Sequence, residues 1–283
     1  MHYCNNFKGN SGAEVSLVNK SGVSVIEKKV YSGKERFKRD VYKQKSFSES
    51  SFIEGVYSPQ VLSFIDIDGY CKVSMRFCEG VSGDGYLLGS WISDIGLLRN
   101  RLNEYFNFIF NEEVRLEKIS TKIFKEKIES CLECDFAREN NSIYNKLLKN
   151  DSLNVFADKF IYVPCGFCHG DLTLSNIIFT PKGEICLIDF LDTYLESPLQ
   201  DLVKIYQDID QCWSFRFMSK AEKFRAGILM KHIETDKMVF FKKKYLNIFR
   251  VMEIINVMRI APYIKDDSTA SWVTNQLIGL SHA

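Results

Sequence analysis

An α+β chain of two unequal lobes, a small β-rich one followed by a larger and mainly helical one, is what the sequence predicts. Three observations carry that reading. Short apolar runs broken by turn residues fill roughly the first eighty positions. Glu79-Gly80-Val81-Ser82-Gly83-Asp84-Gly85, with three glycines in seven residues, separates them from the remaining two hundred or so. Beyond it, apolar residues recur at intervals of three and four, the period of helices packed on a core.

Residues 13–19 and 23–30 form two strand-like runs joined by the hairpin turn Lys20-Ser21-Gly22. A helix follows, with Phe37 and Val41 one turn apart. Residues 60–67 and 70–77 are two further strands around the turn Asp68-Gly69. After the glycine-rich stretch, Leu88, Trp91, Ile92, Ile95, Leu98, Leu102, Tyr105, Phe106 and Ile109 predict one long amphipathic helix. Residues 119–148 keep a helical period but are highly charged. Pro181-Lys182-Gly183 then turns between short strands at 176–179 and 185–190. Past Pro198 the remainder is helical, and residues 245–260 are apolar around most of their circumference, as a buried helix requires.

Composition mainly excludes. A net charge of +1 over 283 residues lacks the basic excess of a nucleic-acid binder. No uncharged apolar run reaches the length of a membrane helix. Nine cysteines, with no secretory apolar core near Met1, predict reduced thiols and a cytoplasmic setting.

The chemistry lies in Cys168-His169-Gly170-Asp171-Leu172-Thr173-Leu174-Ser175-Asn176 and in Leu187-Ile188-Asp189-Phe190. An Asp, an Asn five positions later and a second Asp closing an apolar strand is the order used in phosphoryl transfer by the kinase fold. In that order Asp171 accepts the proton of an attacking hydroxyl, and Asn176 and Asp189 hold Mg²⁺ against nucleotide phosphates. Each residue alone could be a cap or a turn; the combination is specific.

These residues resemble the aminoglycoside phosphotransferase and choline kinase-like family, the small-molecule branch of the protein-kinase-like superfamily. Gly170 stands where protein kinases usually have Arg, and no Ala-Pro-Glu element follows Asp189. The resemblance implies a bilobal protein-kinase-like fold, with residues 1–79 as nucleotide-binding lobe, 80–85 as hinge and 86–283 as catalytic and acceptor-binding lobe. It also implies that His169 steadies the loop and that Asp201 braces it from a helix start. Glu196-Ser197-Pro198 departs there from the commoner Gly-Asp-Pro, which suggests a distinct subgroup.

In the small lobe, Gly9-Asn10-Ser11-Gly12 precedes the hairpin, and its backbone N–H groups and Ser11 hydroxyl suit phosphate. Strand alternation selects Lys28 as the phosphate-gripping lysine, with Lys29 exchanged for it by a one-residue shift. Asp40 shares the helix face of Phe37 and Val41, and is the acidic partner expected for that lysine. Backbone groups near Arg76 and Cys78 read the adenine edge, with Met75 behind it or simply in the core. Asp192 is either a metal or substrate contact or a solvated turn residue. Cys131/Cys134 and Cys165/Cys168 have zinc-like spacing, but one pair lies in a charged helical stretch and the other by a strand, so free thiols are expected.

The implied reaction moves the γ-phosphoryl of ATP, with GTP open as donor, to a hydroxyl of a sugar, amino alcohol, cell-envelope precursor or aminoglycoside-like acceptor. Lys242-Lys243-Lys244, Arg250 and Arg259 tilt the choice toward a sugar or polyol. A nucleotide-binding pseudokinase is the alternative. Neither nucleic acid nor a membrane span is implied, and oligomeric state is not encoded legibly.

Overall fold

A computed structural model describes residues 5–8, 13–50, 52–111 and 114–282. The small lobe opens with β1 (Asn5–Lys8), β2 (Glu14–Lys20) and β3 (Val23–Val30). Ser21 and Gly22, with φ of 52° and 84°, make the tight turn that matches the twist of β2 and β3. Helix α1 (Lys34–Ser50) follows, then β4 (Val56–Tyr57), β5 (Val61–Ile67) and β6 (Tyr70–Arg76). The strands form an antiparallel sheet in the order β1-β2-β3-β6-β5. Val30, Cys71, Val73 and Met75 from the sheet close a small core with Phe37 and Val41 of α1.

The glycine-rich stretch is ordered. It carries β7 (Val81–Ser82), paired with a strand of the large lobe at Ile178 and Phe179, and the start of α2 (Gly83–Gly89). The single long helix expected next is interrupted. Ser90 donates its hydroxyl to the Tyr86 carbonyl (2.7 Å), and the Asp94 carboxylate accepts the Trp91 N–H (3.1 Å). These side chains satisfy backbone groups that a continuous helix would use, so α2 ends and α3 (Ile95–Ile109) starts afresh. The charged stretch also differs from expectation. Its first two residues, Ile119 and Ser120, end β8 (Arg115–Ser120), ahead of three helices, α4 (Lys122–Leu132), α5 (Asp135–Glu139) and α6 (Asn141–Leu147). β8 pairs with β9 (Phe160–Cys165) as an isolated ribbon, so mostly solvated side chains conceal the strand in a sequence pattern.

Strands β10 (Ile177–Phe179) and β11 (Ile185–Leu187) form the predicted hairpin and join β4 and β7 in a second sheet. Helices α7 (Pro198–Ile209), α8 (Lys220–Ile233), α9 (Asp236–Lys244), α10 (Leu246–Met258) and α11 (Asp267–Leu280) complete the large lobe. Ser197 caps α7 by accepting the Leu199 N–H (3.2 Å), and Pro198 fits the first helical position. No helix among the described residues is long and apolar enough to cross a membrane.

Helix α1 belongs to both cores. Its Phe47 is buried in the large lobe, stacked on Phe167 and packed on Phe190 at 5.3 Å each. Phe47→Ala removes that anchor and leaves a cavity, so an expected loss of about 3–5 kcal/mol should appear in urea unfolding. A change under about 1 kcal/mol would mean that the seam is not packed as described.

Candidate active site

The loop between β9 and β10 is held by buried polar groups rather than by regular structure. Gly170 adopts φ 91°, and a Cβ there would lie 2.2 Å from the Leu191 carbonyl oxygen and 2.8 Å from Thr193 Cγ2. Glycine is therefore required by close backbone approach. Asp201, in the first turn of α7, accepts the His169 N–H (2.6 Å), the Gly170 N–H (2.7 Å) and the Tyr105 hydroxyl (2.6 Å). Burial nevertheless pushes its carboxyl up to about 6. Two turns on, Asp208 accepts the Leu174 N–H (2.7 Å) and both the N–H and hydroxyl of Ser214 (2.7 and 3.0 Å). Burial raises this carboxyl to about 6 as well.

His169 is fully buried, and its ring bonds set one neutral tautomer. Nε2 donates to the Ile188 carbonyl (2.8 Å), while Nδ1 accepts the Asp171 N–H (3.2 Å). Burial pushes the imidazole down to about 4. It links the loop to the strand end that bears Asp189.

Asp171 sits at the cleft floor with its side chain 27% exposed. Asn176 Nδ2 donates to its backbone oxygen (2.8 Å) and to its Oδ2 (3.0 Å). Lys204 Nζ, from α7, lies 3.0 Å from its Oδ1. Burial alone would raise the Asp171 carboxyl, but the Lys204 charge and hydrogen bond bring it below its ordinary value. The backbone joins the remaining acid to this pair: Ile188 N–H bonds the Asn176 carbonyl at 3.0 Å. Asp189 then turns into a left-handed conformation, φ 60°, with its side chain 49% exposed. A non-glycine residue in that conformation is strained, which the surrounding bonds must sustain.

From the small lobe, Lys28 Nζ reaches Asp189 Oδ1 at 3.1 Å. Lys29 faces the other way, over the rings of Tyr70 (4.0 Å) and Tyr31 (4.6 Å). The expected pairing of Lys28 with Asp40 is not formed. Asp40 Oδ1 instead accepts the Asp192 N–H (2.6 Å), and its burial raises its carboxyl. The shorter side chain is taken up by the backbone beyond Asp189 before it can reach the lysine. Asp192 is not a free turn residue, since its carboxylate accepts from Arg39 Nε at 2.7 Å. Lys43, a turn beyond Asp40, bonds Glu196 (2.6 Å) and the Leu191 carbonyl (2.8 Å).

The hinge is partly committed. Met75 is buried in the small core and accepts from Gln44 Nε2 at 3.6 Å. Arg76 N–H is taken by the Gln60 carbonyl (3.0 Å) and Phe77 N–H by that of Ser24 (3.1 Å). Among the described residues, the Cys78 N–H has no such partner; its thiol lies 3.3 Å from the Tyr57 hydroxyl. Gly9, Ser11 and Gly12 lie outside the described residues. Among the described residues no group of three His, Cys, Asp or Glu side chains can hold a metal ion, and Cys131, Cys134, Cys165 and Cys168 are unpaired thiols.

Sequence reasoning passed over Lys204, Asp208 and Tyr105. A signal existed: α7 is buried at every position yet carries Gln200, Asp201, Lys204, Gln207 and Asp208. Asp201, Lys204 and Asp208 follow at i, i+3 and i+7, one face of a helix aimed at the loop.

Residues 133–228 match the model of a phosphotransferase enzyme family. Over 112 residues, 34% of this chain, the sequence is 26% identical to an uncharacterized protein of Mycoplasma pneumoniae, the MG356 homolog; the match spans 40% of that protein's length. The fold is similar to a thermostable mutant of aminoglycoside phosphotransferase APH(4)-Ia in ternary complex with ADP and hygromycin B. That likeness has a TM-score of 0.66 at 12% identity, over 99% of this chain and 93% of the other. A putative fructosamine-3-kinase of Haemophilus somnus 129PT superposes with a TM-score of 0.54 at 11% identity, over 98% and 92%. These likenesses show a protein-kinase-like bilobal fold.

An unfolded histidine gains a proton below pH ~6.5, whereas folded His169 gains one only near 4. His169 thus contributes stability that is present above pH 6.5 and lost as pH falls toward 4, on the order of 3 kcal/mol. Asp201 and Asp208, raised to about 6, act oppositely, their contribution falling as pH rises from 4 to 6. The comparison that isolates the histidine is His169→Gln against the native chain in urea at pH 7 and 4.5. The stability gap should narrow by about 2–3 kcal/mol at the lower pH; an unchanged gap would show that the ring is not held neutral.

Proposed function

We propose that this chain, placed at family level in the aminoglycoside and choline kinase-like phosphotransferase branch of the protein-kinase-like superfamily, moves the γ-phosphoryl group of ATP to a hydroxyl of a small molecule. GTP stays open as a donor. One observation carries the reading: Lys28 of the small lobe meets Asp189 in the same cleft where Asn176 and Lys204 hold the Asp171 carboxylate. The division of labour that goes with it is a nucleotide-binding lobe at 1–79, a hinge at 80–85 and an acceptor-binding lobe at 86–283. A cytoplasmic setting suits the reduced thiols.

Asp171, held ionised by Lys204, accepts the proton of the acceptor hydroxyl at its carboxylate. Asn176 fixes the rotamer of that carboxylate through its two donated bonds. Both Asn176 bonds use its nitrogen, which leaves Oδ1 without a partner among the described residues, and the Asp189 carboxylate is half exposed. Hard oxygen donors of this kind fit Mg²⁺, and Asn176 and Asp189 are the residues that would hold it. When bound, the ion would neutralise negative charge on the phosphate oxygens. Lys28 exchanges its contact with Asp189 for the nucleotide phosphates, and Gly9, Ser11 and Gly12 supply backbone and hydroxyl donors to them. The backbone at Arg76 and Cys78 faces the adenine edge, with the Cys78 N–H as the available donor.

Phosphoryl transfer from Mg²⁺–ATP to a broad panel of alcohols is the assay. Asp171→Asn should lower turnover about 10²–10⁴-fold while nucleotide affinity stays within a few-fold. Lys28→Met should instead raise the KM for ATP. Intact Mg²⁺–ATP binding with no transfer to any acceptor would count against the enzyme and leave a nucleotide-binding module.

A further inference from the structure

Among the described residues, α7 and its neighbours bury more polar groups than they pair. Gln200, Lys204 and Gln207 follow at i, i+4 and i+7 on buried α7, and Lys204 links Asp171 to Gln207 Oε1 (3.2 Å). Both amide atoms of Gln200, Gln207 Nε2, Asn256 Nδ2 and the Tyr194 hydroxyl are buried without a hydrogen-bond partner among the described residues. The Tyr194 hydroxyl lies beside the Gln200 amide. Each unmet group costs about 1–3 kcal/mol, and Gln207 shares Lys204 with Asp171, so these groups mark a place where another molecule supplies the partners.

Three cations gather at this wall, and one of them, Arg36, also faces the Asp40 carboxyl. Arg259 donates to Asn256 Oδ1 (3.3 Å) and acts on Asp171. Lys127 of α4 shares its surroundings with Arg259 and with Arg36 of α1, and no ion pair neutralises Lys127 or Arg36 among the described residues. Burial, then repulsion from those two guanidinium groups, pushes the Lys127 ammonium below its ordinary value. Helix α10 packs on both α4, which carries Lys127, and α7, which carries Gln200 and Gln207.

Resting on the phosphoryl-transfer reading, we propose that the acceptor is a hydroxylated small molecule bearing an anionic group, a carboxylate or a phosphate ester. Gln200, Gln207, Asn256 and Tyr194 take its hydroxyls, and Lys127, Arg259 and Arg36 take its charge. The hydroxyl that reaches Asp171 gives its proton to that carboxylate and forms the new O–P bond. The bond from the γ-phosphorus to the bridging oxygen breaks, and the nucleoside diphosphate leaves with the electron pair. A polycationic aminoglycoside would face three like charges and no carboxylate cradle.

Calorimetric titration of the full chain, saturated with ADP and Mg²⁺, tests this with four probes: glucose, gluconate, glucose phosphate and kanamycin. Gluconate or glucose phosphate should bind at least tenfold more tightly than glucose, and whichever does so identifies the anionic group. Kanamycin should not bind. Lys127→Gln and Arg259→Gln, both at half-exposed positions and checked for unaltered thermal unfolding, should erase the preference. Equal affinity across the series, including none for any member, or a preference that both variants retain, overturns the assignment. Transfer to neutral alcohols without anion preference would remove the acceptor class and leave the phosphotransferase. Anion binding lost in the two variants, with no transfer to any alcohol, would support the site and remove the enzyme.

Discussion

The loop between β9 and β10 depends on one buried carboxylate. Asp201 gathers the His169 and Gly170 N–H groups and the Tyr105 hydroxyl, and so decides where the loop turns. Its charge is expensive to bury, and three short donors offset that cost. Because it stands in the first turn of α7, the same helix that delivers Lys204 to Asp171 also aims the loop that carries Asp171. Asp171 and Asp201 are therefore tied to one helix. Asp208 repeats the device where the loop leaves, so the segment is pinned at both ends by one helix.

Asp189 is placed by a different route. His169 reaches the Ile188 carbonyl, and the Leu191 N–H returns to the His169 carbonyl at 2.9 Å. The strained backbone of Asp189 lies between those two bonds. Beyond it, Asp192 and Glu196 receive α1 through Asp40, Arg39 and Lys43. Helix α1 thus steadies the segment just past Asp189 and does not pair with Lys28. Among the described residues, the ion pair of Lys28 is with Asp189.

Much of this was legible in the sequence because it rests on local rules. Hairpin turns at Ser21-Gly22 and Asp68-Gly69, the alternation that separates Lys28 from Lys29, and the Asp-Asn-Asp spacing all depend on short-range geometry. The illegible part depends on contacts distant in sequence. The interrupted helix at Ser90 turns on side chains that compete for its own backbone, and β8 exists only through its pairing with β9. Asp40 carries a helix-face signal that was correct in orientation but silent about which of two nearby partners would win. Lys204 could have been noticed only by asking why a wholly buried helix retains so many polar residues.

The double allegiance of α1 has a mechanical consequence. Phe47 and three polar links bind it to the large lobe, while Phe37, Val41 and the ion pairs of Lys34 and Lys38 with Asp66 bind it to the small sheet. The helix is thus a strut clamped at both ends, so a tilt of either lobe strains its fastening to the other, and amide exchange along α1 would report on both.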